Sequence, residues 1–182
     1  PSGQVLGERE RIAFEDWNFS GNAAVFDRLG IGESVTLSHD FLVIDSDLRV
    51  SNNARLEITV EGTNDAPEVS GAINVAADVG DAITSVDLLA GATDADVNDT
   101  LSLTDLSFAV DGSPTGDGGS DRPQGISLDG TSLIVEPDPS AFEGLLLGET
   151  RVIEASYTIT DGNGGTVTQT ATITLTGTEV IE

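Results

Sequence analysis

Oxygen ligands crowd one short stretch of this sequence. Asp94, Asp96, Asn98 and Asp99 all fall within Asp94-Ala95-Asp96-Val97-Asn98-Asp99-Thr100. Alternating carboxylates in a loop suit a hard cation with six to eight oxygen donors, which means calcium rather than zinc. The spacing mimics an EF-hand loop running on to Asp105. It is not one: position six is Asp99 where that loop needs Gly, and position twelve is Asp105 where it needs Glu. Strand-like sequence flanks it, not helices. The plain alternative is a solvated acidic loop in a very acidic chain.

A second stretch, Gly62-Thr63-Asn64-Asp65-Ala66-Pro67, sits where an alternating strand stops and another begins. Pro67 lacks an N–H and pushes Ala66 towards an extended conformation. Asn64 and Asp65 place side-chain oxygens at the bend. They are either turn formers or ligands at a joint between two domains. If the 94–99 loop folds back on this joint, the two share one ion and Asp65 is an interdomain ligand. Asp161, in Asp161-Gly162-Asn163-Gly164-Gly165, and Asp45, in Asp45-Ser46-Asp47, read most simply as hairpin-turn residues.

Catalytic patterns are weak. Glu15 and Asp16 correspond to Glu136 and Asp138, but paired carboxylates without a cleft do not make a glycosidase. His39 is the single His and has no Cys or Ser at a triad spacing, so it reads as a strand-surface residue. Asn18-Phe19-Ser20 and Asn98-Asp99-Thr100 match a glycosylation pattern short enough to arise by chance. Asp117-Gly118-Gly119-Ser120-Asp121 is a single Gly/Asp match to a calcium roll, and one copy cannot stack. No catalytic residue and no organic cofactor are expected.

Composition narrows the class. The 182 residues carry 32 acidic and 7 basic side chains, a net charge of −25, and every basic residue is Arg. Such a surface repels phosphate backbones and anionic lipid, so neither nucleic acid nor membrane insertion is expected. There is no Cys, which excludes a disulfide framework and a thiolate metal site. No stretch reads as a signal peptide, a lipidation motif or an apolar run of about 18 residues. The chain opens on Pro1-Ser2-Gly3 without Met and is expected to be a fragment of something larger.

The elements that must hold these residues are strands. Apolar residues alternate regularly, which argues for folded β-structure despite the high charge. Expected strands run from about Ser34 to Ile44, Arg55 to Glu61, Glu68 to Val75, Ala82 to Leu89 and Leu101 to Val110. A hairpin is expected at 126–135 around Asp129-Gly130, then a strand through Ala155, Tyr157 and Ile159 into the turn 161–165 and a returning strand carrying Val167, Ala171, Ile173 and Leu175. Residues 111–125 read as a Gly/Asp/Pro-rich loop, and 23–29 as a helical turn or coil. Many short strands with Gly-rich turns predict a β-sandwich.

An internal repeat divides the chain. Val25-Phe26-Asp27-Arg28-Leu29-Gly30-Ile31-Gly32-Glu33 matches Ala141-Phe142-Glu143-Gly144-Leu145-Leu146-Leu147-Gly148-Glu149. Ile58-Thr59-Val60-Glu61-Gly62-Thr63 matches Ile173-Thr174-Leu175-Thr176-Gly177-Thr178. Asp45 and Asp161 fall at equivalent positions. The expectation is two modules: a complete β-sandwich at 67–182, and at 1–66 the C-terminal half of another, incomplete or split. A half sandwich leaves one sheet uncovered and an edge open.

Together three blocks carry a family resemblance. They are Gly62 to Pro67, Asp87 to Asp96 with Asp99-Thr100-Leu101, and Tyr157 to Thr166. In this order they resemble the cadherin-like, VCBS-type repeats of giant bacterial RTX adhesins. The resemblance implies an all-β chain of tandem Ig/cadherin-like β-sandwiches, type I secretion to the bacterial cell surface, and attachment or biofilm formation. It implies neighbouring repeats of the same polypeptide as partners, with a host or abiotic surface reached through other domains. It also implies Ca2+ at domain junctions. By motif the ligands are Asn64 and Asp65 at the joint and Asp94, Asp96 and Asp99 beyond it, joined by Asp161 and Asp45. The chain departs from the pattern at Glu179-Val180, where Asn-Asp-Ala-Pro would open a further joint. The expected function is a non-catalytic, calcium-rigidified stalk module. The alternative is a ligand-binding module, for instance for sugar, or a split-domain scaffold presenting one.

Overall fold

The computed structural model describes residues 23–44, 47–116 and 122–178. Among these residues, twelve strands run in chain order: β1 (Ser34–Phe41), β2 (Ala54–Glu61), β3 (Glu68–Val69), β4 (Ile73–Asp78), β5 (Thr84–Asp87), β6 (Ala92–Thr93), β7 (Ser102–Val110), β8 (Ser113–Gly116), β9 (Ile126–Asp129), β10 (Ser132–Val135), β11 (Thr150–Thr160) and β12 (Thr166–Thr176). The expected all-β class is what is found.

Two sheets face each other beyond the junction. One has the order β4-β12-β11-β7-β8 and the other β5-β10-β9. Period-two alternation dictates the layering. Ile153, Ala155, Tyr157 and Ile159 of β11 and Ala171, Ile173 and Leu175 of β12 turn one face inward. Leu133 and Val135 of β10, with Leu88 at the end of β5, meet them from the other sheet. The Tyr157 hydroxyl donates to the Leu88 carbonyl at 2.8 Å, which ties the layers together and satisfies a buried polar group. β7 opposes Asp105 and Leu106 to Tyr157 alone, a bulge with Asp105 at φ 54°.

Several expected boundaries move. Glu68 to Val75 is two strands, not one: β3 pairs with β6, and β4 pairs in parallel with β12. The stretch 113–116 expected as loop is β8, an edge strand on β7. The turn between β9 and β10 is Gly130-Thr131, one residue later than expected, because Asp129 pairs with Ser132. Residues 23–29 hold a single 3-10 turn, Ala23–Val25.

The segment before the junction repeats the end of the sandwich. Ala23–Val25 and Pro139–Ala141 are both 3-10 turns. The Glu33 carboxylate accepts from Gly30 N as Glu149 accepts from Leu146 N. β1 pairs with β2 in the register of β11 with β12: Leu37↔Ile58 against Ile153↔Ile173, and His39↔Leu56 against Ala155↔Ala171. Gly62 N donates to Glu33 O at 2.9 Å, and Gly177 N to Glu149 O at 2.8 Å. A Cβ on Gly62 would strike the carbonyls of Leu29 and Gly30; one on Gly177 would strike those of Leu145 and Leu146. The repeated Gly of the two Gly-Thr pairs is therefore a packing requirement.

Candidate metal centre at the junction

Four chain segments converge where β2 gives way to β3. The linker crosses first, with Pro67 buried and Asp65 exposed. Beneath it lies the loop 94–99 that follows β6. Asp65 N donates to Asp96 Oδ2 at 2.8 Å, and Asp96 N donates to Asp94 Oδ1 at 2.9 Å. From the side comes the turn between β11 and β12. Gly165 seals it to the linker, since a Cβ there would stand 2.7 Å from Ala66 Cα and 2.9 Å from the Asp65 carbonyl. From above comes the loop before β1, whose Glu33 accepts from the Asn98 amide and whose Gly30 lies over Asp96.

The turn 161–165 is built around Asp161, which is only 4% exposed. Its Oδ1 accepts from the backbone N–H of Asn163, Gly164 and Gly165 at 2.7, 3.0 and 3.1 Å. Its Oδ2 accepts from the Asn64 amide at 2.9 Å. Burial acts to raise the Asp161 pKa, but these bonds from Asn64, Asn163, Gly164 and Gly165 outweigh it and hold the carboxyl below its ordinary value.

Asp94, Asp99 and Asp161 each bring a carboxylate oxygen within 4.8 Å of the other two. Like charges this close repel by a few kcal/mol per pair at an effective dielectric of about 20. The cost shows on Asp94: burial first, then the charges of Asp96, Asp99 and Asp161, push its carboxyl up from its ordinary value. Four buried oxygens here have no hydrogen-bond donor: Asn64 Oδ1, Asp94 Oδ2, Asp96 Oδ1 and Asp99 Oδ2. Asp96 is only 2% exposed. Buried polar atoms are ordinarily partnered, so acceptors left without donors are groups that a cation could satisfy. All the donors are carboxylate or amide oxygens, the set a hard ion such as calcium takes.

Of the seven residues singled out from sequence, Asp94, Asp99 and Asp161 form the close trio. Asn64 and Asp96 each bring a buried, unpartnered oxygen. Asp65 joins through its backbone, while its side chain lines an open cleft with Asp27, Glu68 and Asp94. Asp45 lies outside the described residues, as do Glu15 with Asp16, Asn18-Phe19-Ser20 and Asp117 to Asp121. His39 is exposed on β1. Sequence reasoning missed Glu33 and treated Asn163 only as a turn residue. Asn163 donates its side-chain amide to Asp99 Oδ1 at 2.8 Å and so orients that carboxylate. The matched Gly-Glu pairs at 32–33 and 148–149 were the signal for Glu33.

A two-layer, mainly antiparallel sandwich in which β4, near the start of the unit, pairs in parallel with its last strand β12 is an immunoglobulin-type arrangement. The family described as Bacterial Ig domain matches residues 64–174, and the chain belongs to that family. No curated protein matches the chain. Among solved structures it is similar to a nucleoside hydrolase-related hypothetical protein from Saccharophagus degradans that is associated with carbohydrate metabolism, at 20% identity and a TM-score of 0.38 over 63% of this chain and 26% of that one. It is also similar to mouse clustered PcdhgC3 EC1-3, at 19% identity and a TM-score of 0.39 over 88% of this chain and 47% of that one. The chain thus spans less than half the length of either. Among the described residues, no helix is long and apolar enough to cross a membrane.

Proposed function

We propose that this chain is a non-catalytic structural module of a secreted bacterial adhesin of the RTX type, stiffened by calcium at its junction. The observation that carries the reading is the set of buried oxygens without donors around three mutually close carboxylates. Asp94, Asp99 and Asp161 would hold the ion, with Asn64 and Asp96 supplying further oxygens. Bound calcium supplies positive charge that cancels their repulsion.

The mechanism is mechanical. These oxygens come from the linker, the 94–99 loop and the 161–165 turn, so one ion ties three segments. Without it, carboxylate repulsion works to open the joint. Extracellular modules hold calcium at about 10⁻⁴ to 10⁻³ M. The joint would then be loose in a low-calcium cytosol and rigid outside, where neighbouring repeats of the same polypeptide carry the surface-binding domains.

Calorimetric titration with calcium, paired with thermal melts in millimolar calcium and in chelator, tests the reading. At a hundredfold excess over Kd, calcium should add about 2.7 kcal/mol of stability. Equal melting temperatures in the two conditions, with no heat of binding, would sink it.

A further inference from the structure

The β1–β2 hairpin copies β11–β12 pair for pair but, among the described residues, lacks what β11–β12 is packed against. In the complete unit, β12 pairs in parallel with β4 from Ala171↔Ile73 to Thr176↔Asp78. β11 pairs with β7, and the β5-β10-β9 sheet covers their common face. Among the described residues, β1 and β2 pair only with each other. The inward positions show the difference. Leu37 is 38% exposed where its counterpart Ile153 is 0% exposed. Leu56, Ile58 and Val60 are half-buried where Ala171, Ile173 and Leu175 are fully buried. A bare two-stranded ribbon is marginal in water, and its edges offer unpaired N–H and C=O groups.

We propose that the open face and edges of this hairpin are a docking surface for the front half of another Ig unit of the same kind. One incoming strand adds in parallel to β2, as β4 does to β12. Another adds antiparallel to β1, as β7 does to β11. A short sheet then covers Leu37, Leu56, Ile58 and Val60. The occupant is identified by the template within the chain: identical register and identical turn bonds accept residues 67–138 in the second unit. A second copy of the whole chain is disfavoured, because its own β4 and β7 already pair with its own β12 and β11, and its own β5-β10-β9 sheet already covers them. His39 and Leu56 stand where Ala155 and Ala171 stand, so the natural front half must be smaller opposite them.

The test fuses residues 67–138, through a flexible Gly/Ser linker, ahead of the full chain carrying His39→Ala and Leu56→Ala. Hydrogen exchange of the β1 and β2 amides is compared with that of the unfused double variant. Docking should slow exchange in both strands by roughly tenfold or more and abolish binding of an apolar dye. Adding Ile58→Asp to the fusion should restore fast exchange in β1 and β2 while β11 and β12 stay protected. Unchanged exchange in the fusion overturns the proposal, as does protection that survives Ile58→Asp. Protection of these amides in the unfused chain, alone or as a dimer by sedimentation, also overturns it, since the face would then already be covered.

Discussion

Asn64 and Asp161 stand 97 positions apart in sequence, yet the amide of one donates to the carboxylate of the other at 2.9 Å. The bond joins the linker to the far hairpin, and the partner oxygen of Asn64 is buried with no donor. Asn64→Ala therefore removes a donor to a buried charge and a candidate ligand at once. We predict a loss of about 1.5–3 kcal/mol in chelator, with weaker calcium binding besides. Urea midpoints in chelator and in calcium measure both. Unchanged midpoints in both would remove Asn64 from the joint.

Asp94→Asn separates charge repulsion from metal binding. The carboxyl is pushed up by burial first and then by Asp96, Asp99 and Asp161. A folded-state pKa above the unfolded value means stability that is present at low pH and lost as pH rises through the carboxylate range. Metal-free protein should accordingly gain stability from Asp94 on mild acidification, while Asp161, held low, loses its contribution only at more acid pH. Asp94→Asn should stabilise the metal-free protein near neutral pH and weaken calcium binding. Opposite signs are the signature; a variant destabilised in chelator would contradict it.

Gly165→Ala should be among the most damaging single-methyl changes. The new Cβ meets the Asp161 carboxylate, Ala66 Cα and the Asp65 carbonyl together. Overpacking of this kind typically costs about 1–3 kcal/mol. Here it also displaces the linker from the turn, so calcium affinity should fall with stability. Thermal melts and calcium titration report the two effects. A neutral variant would mean the linker is free to shift.

Tyr157→Phe tests the tie between the layers. Losing the hydroxyl leaves the Leu88 carbonyl without its partner, a cost of about 1–2 kcal/mol. Burial, aided by the Asp87 charge, pushes the Tyr157 pKa up to about 12. The raised value stabilises the fold below the ordinary tyrosine range near 10 and is lost as pH climbs from there to about 12, on the order of 2 kcal/mol in all. Base titration of wild type should show this decline, and Tyr157→Phe should lack it. Parallel curves would refute the assignment.

The fold was legible because its strands alternate plainly, and the repeat because its turns reuse the same Gly and Glu. What stayed hidden depends on contacts distant in sequence. β8 could not be read, because Ser113-Pro114-Thr115-Gly116 has turn composition and becomes a strand only by pairing with β7. The break between β3 and β4 was invisible for the same reason: each half finds a different partner. At the site, the oxygen-bearing residue types were readable from composition and spacing. Which oxygens lack donors was not, since that turns on Asn163 reaching Asp99 and Asn64 reaching Asp161 from distant parts of the sequence.

The parallel pairing of β4 with β12 governs how this domain meets a pulling force. β4 begins at Ile73 and β12 ends at Thr176, so tension along the chain draws these neighbouring strands in opposite directions along their length. All the bonds between them are then loaded in shear and must fail together. β1 and β2, an antiparallel pair pulled from Ser34 and Glu61 at one end, would instead part bond by bond like a zipper. Under tension, the hairpin should yield at low load and the sandwich only at high load, which makes the pair a soft element in series with a stiff one.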